Sequence, residues 1–409
     1  MTNRSRPISE NRGDSGKTGL ASSHENLPDP KHWAHSGRAA GLSRRKALAG
    51  LGIALATGIS ACGASGAASA PERLRDRIRR RVAERRGIAL PETPANLPTH
   101  RVADPRALEG RFAVIERDGV WSDPARDGRT VLWRAFLPDR QGRAPVALYS
   151  HGAGGTRDSG QQYGTHLASH GIASVHLQHA GSDRAAFRDD PRQIGRAIRD
   201  PRLAAPRFED IGFAAAQLQA SWSELSDRVD AGKLAVYGHS FGAITTLIAA
   251  GQRVEGFGRT FALPYLKAAV ALSPSPPREG YGDAVSAFDD MLAPILHITG
   301  SEDDAPNGDF DAAARRIPFR QINDVDQYFL NLHGANHFTF SGDPNPQFTG
   351  RSLAYPGLDR HHDLIKAAML AFFQRTLEGD LGARTFLDDE FESLLIKEDV
   401  FLSKPTASK

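Results

Sequence analysis

The chain has one cysteine, Cys62, in 409 residues, so it folds without disulfides of its own. Net charge is nearly absent: 51 Lys and Arg stand against 48 Asp and Glu, a balance of +3. Much of that basicity sits in the first hundred residues, so nucleic acid is not an implied partner. Long apolar runs are missing too. The mildly apolar stretch Ala47 to Ala61 falls short of the roughly 20 residues that span a bilayer core. There is no internal repeat, and Met1 to Leu42 has too few large apolar residues to build a core. Ser15-Gly16-Lys17-Thr18 has the tail of a phosphate loop, but Asn11 stands where that motif needs its first glycine and no strand precedes it. Removing leader and tether leaves about 310 residues, enough for one α/β core.

Against these absences stands Gly238-His239-Ser240-Phe241-Gly242, directly after the apolar run Leu234 to Tyr237 and directly before the helical run Ile244 to Ala250. A strand that turns this sharply into a helix forces its serine into a strained backbone conformation and needs small neighbours. Such a turn lifts a hydroxyl clear of a sheet. A serine hydroxyl is a weak nucleophile at neutral pH and needs a base, itself oriented by a carboxylate.

Both follow in the order serine, acid, histidine. Pro294 to Thr299 reads as a buried strand ending in Gly300-Ser301-Glu302-Asp303-Asp304, and Tyr328 to Leu332 as a strand followed by a loop, His333-Gly334-Ala335-Asn336-His337. The acid is Asp303, with Asp304 as the alternative. The base is His337, with His333 as the alternative. His333 and His337 are four apart, which suits a metal only on a shared helix. Gly334 and the preceding strand argue for a loop, so no metal site is expected. His176 and His179, near another strand end, read as structural or pocket-lining. A second strand, Pro145 to Ser150, leads into His151-Gly152-Ala153-Gly154-Gly155. Oxyanion donors are then the backbone N–H of Phe241 and that of Ala153, with Gly152 as the alternative for the second.

Taken together, Ser150 to Gly155, His179-Ala180-Gly181-Ser182-Asp183, Gly238 to Gly242 and Gly334 to Phe338 resemble the serine α/β-hydrolases. Within them the chain is most similar to the predicted dienelactone hydrolase and platelet-activating-factor acetylhydrolase-like branch, whose relatives include secreted polyester hydrolases. The resemblance covers about Arg101 to Leu377. It implies an α/β-hydrolase fold and a serine esterase that needs no metal or organic cofactor. True dienelactone hydrolases use a cysteine nucleophile where this chain has Ser240, so that activity is not implied. Ala153 is smaller than its counterpart in the acetylhydrolases, which leaves acyl-chain preference open.

The rest of the sequence predicts an open, mostly parallel sheet with helices on both faces. Strand-length apolar runs occur at Val131 to Phe136, Val146 to Ser150, Ala173 to Leu177, Leu234 to Tyr237, Ala268 to Leu272, Ile295 to Thr299 and Tyr328 to Leu332. Ile211, Ala214, Ala215 and Leu218 predict a crossover helix over Phe208 to Trp222, and Ala367 to Leu377 a closing one. Arg184 to Pro206 lacks helical periodicity and reads either as a lid over the site or as a solvated loop. Tyr281 within Gly280-Tyr281-Gly282, and the pair Phe348 and Tyr355, are candidate aromatic rim contacts.

The N-terminal region speaks to location. Ser43-Arg44-Arg45-Lys46 before a weakly apolar segment resembles a twin-arginine export signal. Ile59-Ser60-Ala61-Cys62 resembles a lipobox with Cys62 as lipid attachment site; the rival is cleavage after Ala68-Ser69-Ala70. Arg73 to Arg86 holds eight arginines, as a basic helix on anionic lipid or as a solvated tether. The expected organisation is a leader over 1–62, an Arg-rich tether over 63–100 and a catalytic domain over 101–409. The expected activity is that of an exported serine carboxylic-ester hydrolase on short-acyl or phospholipid-type esters. An acyltransferase using the same triad and a cutinase-like polyester hydrolase are the alternatives.

Overall fold

The computed structural model describes residues 97–220, 223–283, 286–342 and 355–406. The twin-arginine segment, Cys62, the arginine-rich tether, Trp222 and Phe348 lie outside the described residues.

The central strands are apolar on both sides, and the fold covers both. In chain order the strands are β1 (Val114–Asp123), β2 (Arg129–Pro138), β3 (Ala144–Ser150), β4 (Ala173–Gln178), β5 (Val229–His239), β6 (Ala268–Leu272), β7 (Ile295–Glu302), β8 (Gln327–Asn336) and β9 (Val400–Lys404). They form one sheet in the order β1-β2-β4-β3-β5-β6-β7-β8-β9. The five pairings among β4, β3, β5, β6, β7 and β8 are parallel. Those of β1 with β2, β2 with β4 and β8 with β9 are antiparallel.

Alternation along β3 and β5 sends side chains to two separate cores. Ala147, Tyr149, Ala235 and Tyr237 face one, and Val146, Leu148, Leu234 and Val236 the other. Helices α1 (Gln161–Ser169) and α6 (Leu358–Phe373) close the first face; α4 (Pro201–Gln219) and α5 (Phe241–Ala249) close the second. Two covered faces account for near-continuous apolar strands, and parallel crossovers bring the carboxyl ends of β3, β5, β7 and β8 to one edge. This is an α/β-hydrolase fold, and the seven apolar runs are its β2 to β8.

The stretch after β4 departs from the sequence reading. Arg184 to Pro206 is helical: α2 (Arg184–Asp189), α3 (Pro191–Arg199) and the first turns of α4. Asp183, Asp190 and Asp200 cap the three helices, accepting from the N–H groups of Ala186, Arg192 and Arg202. Pro191 and Pro201 occupy first helical positions, where a missing N–H costs nothing. The crossover helix thus begins at Pro201, with Pro206 inside it. Ala197, Ala204 and Phe208 pack against Phe241 and Ile244 of α5, which seats this segment over the start of that helix. The closing helix also begins earlier than its periodicity indicates, at Leu358, and passes into a wider turn over Gln374–Glu378.

Candidate active site

Ser240 sits between β5 and α5 with φ 58 and ψ −113, a strained conformation for a residue with a side chain. Its N–H donates to Leu272 O at 2.9 Å, tying the turn to β6. The flanking glycines are required by space. A Cβ on Gly242 would stand 1.8 Å from the carbonyl oxygen of Ser150, and one on Gly238 2.5 Å from that of Gly242.

His337 starts a short 3-10 turn that Asn336 fixes. The Asn336 side chain accepts from the N–H of Phe338 at 3.0 Å, and Thr339 Oγ1 accepts from the N–H of Asn336 at 3.0 Å. The His337 carbonyl is held by His239 Nε2 at 2.9 Å. In this setting His337 Nε2 lies 2.9 Å from Ser240 Oγ, and His337 Nδ1 lies 2.8 Å from Asp303 Oδ1. Thr299 Oγ1 donates to the other carboxylate oxygen at 2.8 Å. The structure therefore brings Ser240, His337 and Asp303 together in series. It leaves the two alternatives apart: Asp304 caps Ala312 at 2.9 Å, and the N–H of His333 donates to Asp399 at 2.8 Å. β8 runs on through Asn336, so His333 is a strand residue and not a loop residue. Among the described residues no three His, Cys, Asp or Glu side chains converge as a metal site would require.

Arg315 is a participant that the sequence did not single out. It is 1% exposed and pairs through Nε with Asp303 Oδ1 at 2.7 Å. Its Nη1 donates to the carbonyls of Ser273 and Pro274 at 3.0 and 3.1 Å, and its Nη2 approaches His337 Nδ1 at 2.9 Å. When His337 Nε2 accepts from Ser240, Nδ1 carries the proton toward Asp303. Arg315 then acts on the ring by charge and not as a donor. Burial first, and the Arg315 charge second, press the His337 pKa below its ordinary value, against the pull of Asp303. Burial alone would raise Asp303, but Arg315 and His337 outweigh it and hold that carboxyl below its usual range.

The loop after β3 lies against Ser240: a Cβ on Gly152 would come within 3.5 Å of the Ser240 Cβ. Gly154 N–H donates to Ser182 O at 2.8 Å and Gly155 N–H to Gly152 O at 3.0 Å, which fixes the chain around Ala153. Phe241 is the first residue of α5, where an N–H has no intrahelical acceptor.

Beneath this loop lies a second network that the sequence did not announce. Ser150 Oγ is 3.0 Å from His179 Nε2, and His179 Nδ1 is 3.1 Å from Asp210 Oδ2. Buried Arg207 donates to Ser150 Oγ, Ser182 Oγ and Thr245 Oγ1 at 2.9, 2.9 and 2.8 Å, and also to the His151 carbonyl. Its guanidinium covers the Phe241 ring at 4.6 Å. One cation thereby grips both sides of the expected oxyanion hole. Burial pulls Arg207 down to about 9, against the attraction of Asp210. Asp210, which burial would raise, is held at about 2 by its bonds to Arg129 and His179. His176 and His179 are thus buried structural groups. His176 bonds Ser174 Oγ and Tyr237 Oη, both at 3.0 Å.

Ser240 and His337 open into a cavity of about 450 Å³ whose walls include Ala153, Phe187, Ile198, Ile244, Phe310 and Phe338. Phe187 and Ile198 come from α2 and α3, so the segment after β4 forms one wall. Two proposed rim aromatics lie elsewhere. Tyr281 is buried and donates to Ala197 O at 2.9 Å, bracing α3 from behind. Tyr355 bonds Thr339 Oγ1 at 2.8 Å and His361 Nδ1 at 2.7 Å, behind the histidine turn.

No family model matches the chain. It is 27% identical over 259 residues to cutinase est2 of Thermobifida alba, an alignment covering 63% of this chain and 70% of that protein. This distant similarity, together with the fold, supports a serine ester hydrolase in general.

Proposed function

We propose that the chain is an exported serine carboxylic-ester hydrolase acting through an acyl-enzyme on short-acyl or phospholipid-type esters. The observation that carries this reading is the unbroken series from Ser240 Oγ through His337 to Asp303, at 2.9 and 2.8 Å, at the mouth of a largely apolar cavity. His337 Nε2 takes the Ser240 proton as the hydroxyl attacks the ester carbonyl. The N–H groups of Phe241 and Ala153 receive the developing oxyanion, a contribution of roughly 3–4 kcal/mol per donor. Asp303 holds the Nδ1 tautomer and stabilises the imidazolium. Protonated His337 then hands its proton to the departing alcohol, and water repeats the sequence on the acyl-enzyme.

A cavity of about 450 Å³ favours small acyl groups. The segment Ser150 to Gly155 and the Ser240 pentad support the acetylhydrolase-like branch, whereas the name of the cutinase relative favours a polyester as the alternative substrate. Transfer of the acyl group to an alcohol would use the same residues. For location, the twin arginine and Ile59-Ser60-Ala61-Cys62 support export and lipid anchoring at Cys62. Release of the Cys62→Ser protein from the membrane fraction tests the anchor.

The activity is tested with p-nitrophenyl esters of increasing acyl length, with Ser240→Ala and His337→Ala as controls. The expected result is hydrolysis falling off with chain length and lost in both variants. Wild-type rates in either folded variant refute the assignment. Hydrolysis far slower than acyl transfer to added glycerol moves it to a transferase.

A further inference from the structure

Besides its apolar walls, the cavity is lined by four arginines, Arg184, Arg199, Arg278 and Arg315, and, among the described residues, by no aspartate or glutamate. Arg315 is committed to Asp303 and His337. Arg199 and Arg278 share one carboxylate outside the lining, Asp309, at 3.2 and 3.5 Å. That carboxylate also accepts from Asn307 Nδ2 at 2.7 Å. One carboxylate between two guanidiniums leaves positive charge over.

Arg278 is the more enclosed of the two, its side chain 17% exposed against 58% for Arg199. Its Nη1, the atom that faces Asp309 at 3.5 Å, is buried and makes no hydrogen bond among the described residues. Its guanidinium lies over the Phe310 ring at 5.4 Å, and the same ring carries Arg315 at 4.9 Å. Arg278 therefore stands one aromatic ring away from the group that touches His337. Holding two cations on one shared carboxylate is costly unless a further anion meets them, and a guanidinium fork fits a carboxylate or a phosphate.

We propose that this cavity selects anionic esters: the scissile carbonyl lies at Ser240, and a carboxylate or phosphate on the same molecule, a short apolar spacer away, is received by Arg278. The inference rests on the ester-hydrolase reading and adds the substrate's charge to it. Hydrolysis leaves that anion unchanged and adds water only across the ester bond.

The test compares kcat/KM for p-nitrophenyl hydrogen adipate, its neutral methyl ester, and the p-nitrophenyl ester of a hexanoic acid carrying a terminal phosphate. The expected preference for a charged ester over the neutral one is about tenfold or more, the usual effect of a charge-assisted hydrogen bond. The larger of the two charged-to-neutral ratios identifies carboxylate or phosphate as the natural anion. Added salt lowers the preference. Arg278→Gln brings the ratio near one, and Arg278→Lys keeps part of it. A wild-type ratio at or below one, or a ratio that Arg278→Gln does not move, overturns the proposal. A calorimetric arm separates this from failure of the esterase reading. Adipate titrated into Ser240→Ala is expected to bind and, with Arg278→Gln added, to bind at least about tenfold more weakly. Equal binding in both proteins, or none in the first, rules out the anion site whether or not any ester is cleaved.

Discussion

Arg315 offers the sharpest check on how the site works, because its charge and its geometry can be removed separately. Its Nη2 stands 2.9 Å from His337 Nδ1, and Asp303 Oδ1, which Arg315 Nε itself pairs with at 2.7 Å, stands 2.8 Å from the same atom. At 3–4 Å and an effective dielectric of about 20, each charge acts on an imidazolium with about 4–5 kcal/mol, in opposite senses. The two nearly cancel, and burial tips His337 below its ordinary value of 6.5. Since in the proposed mechanism His337 must be neutral to take the serine proton, wild-type kcat/KM is expected to stay high as pH falls to 6.5 and to decline only below it. Arg315→Gln leaves the attraction of Asp303 unopposed. After relaxation and water entry, the acid limb should move up by about one to two pH units. Arg315→Lys keeps the charge but loses the fork to Ser273, Pro274 and Asp303, so its turnover falls while its acid limb stays near that of the wild type. The assay is kcat/KM for a short-acyl ester from pH 4 to 9, on protein shown to be folded by its melting transition. An unmoved limb in Arg315→Gln, or an equal shift in Arg315→Lys, refutes the electrostatic account.

Three further outcomes follow from packing and burial. Gly242→Ala must push backbone against backbone at the end of β3, and should cost about 3 kcal/mol or more and abolish turnover. Gly212→Ala in α4, where a Cβ meets nothing within 4 Å among the described residues, should instead raise the melting temperature through about 1 kcal/mol of helix propensity. Burial lowers His166, His176, His239 and His297 to about 3, and His179, His361 and His362 to about 4. Between those values and 6.5 the unfolded chain binds protons that the folded chain does not, so stability falls as pH falls through 6.5, and the histidine contribution levels off near pH 3, where protonation of Asp210 takes over the loss. Each histidine contributes up to about 1.4 kcal/mol per pH unit. A melting temperature constant from pH 7 to 4 would contradict this.

The strand-end residues were legible because each lies where an apolar run stops: Ser240 after β5, Asp303 after β7, His337 after β8. The edge strands were not. β1 carries Glu116, Arg117 and Asp118 in its first half, and β9 is only five residues long, so neither shows the apolar run of a two-sided strand. The helices after β4 escaped a search for apolar periodicity because they are short and face a cavity. Their readable signals were Asp190-Pro191 and Asp200-Pro201, a cap followed by a first-position proline. Arg207 was also within reach. It stands four, seven, eight and eleven residues before Ile211, Ala214, Ala215 and Leu218, on the stripe that α4 buries. Arg315 was not. Arg315 and Arg316 are adjacent and alike in sequence, and only the long-range approach of β7 and β8 distinguishes the one beside His337.

The buried set Ser150, His179 and Asp210 bears on how active sites are found. Any search that matches three side chains by distance would retrieve it from this chain beside Ser240, His337 and Asp303. Yet Ser150, His179 and Asp210 are each 0% exposed, and Ser150 Oγ faces the donating guanidinium of Arg207. A fluorophosphonate label should therefore attach to Ser240 and never to Ser150. The same three groups are proposed to act as a reagent where there is room for a carbonyl and serve as a brace where there is none, so vacancy beside the serine is the fourth member of any such constellation.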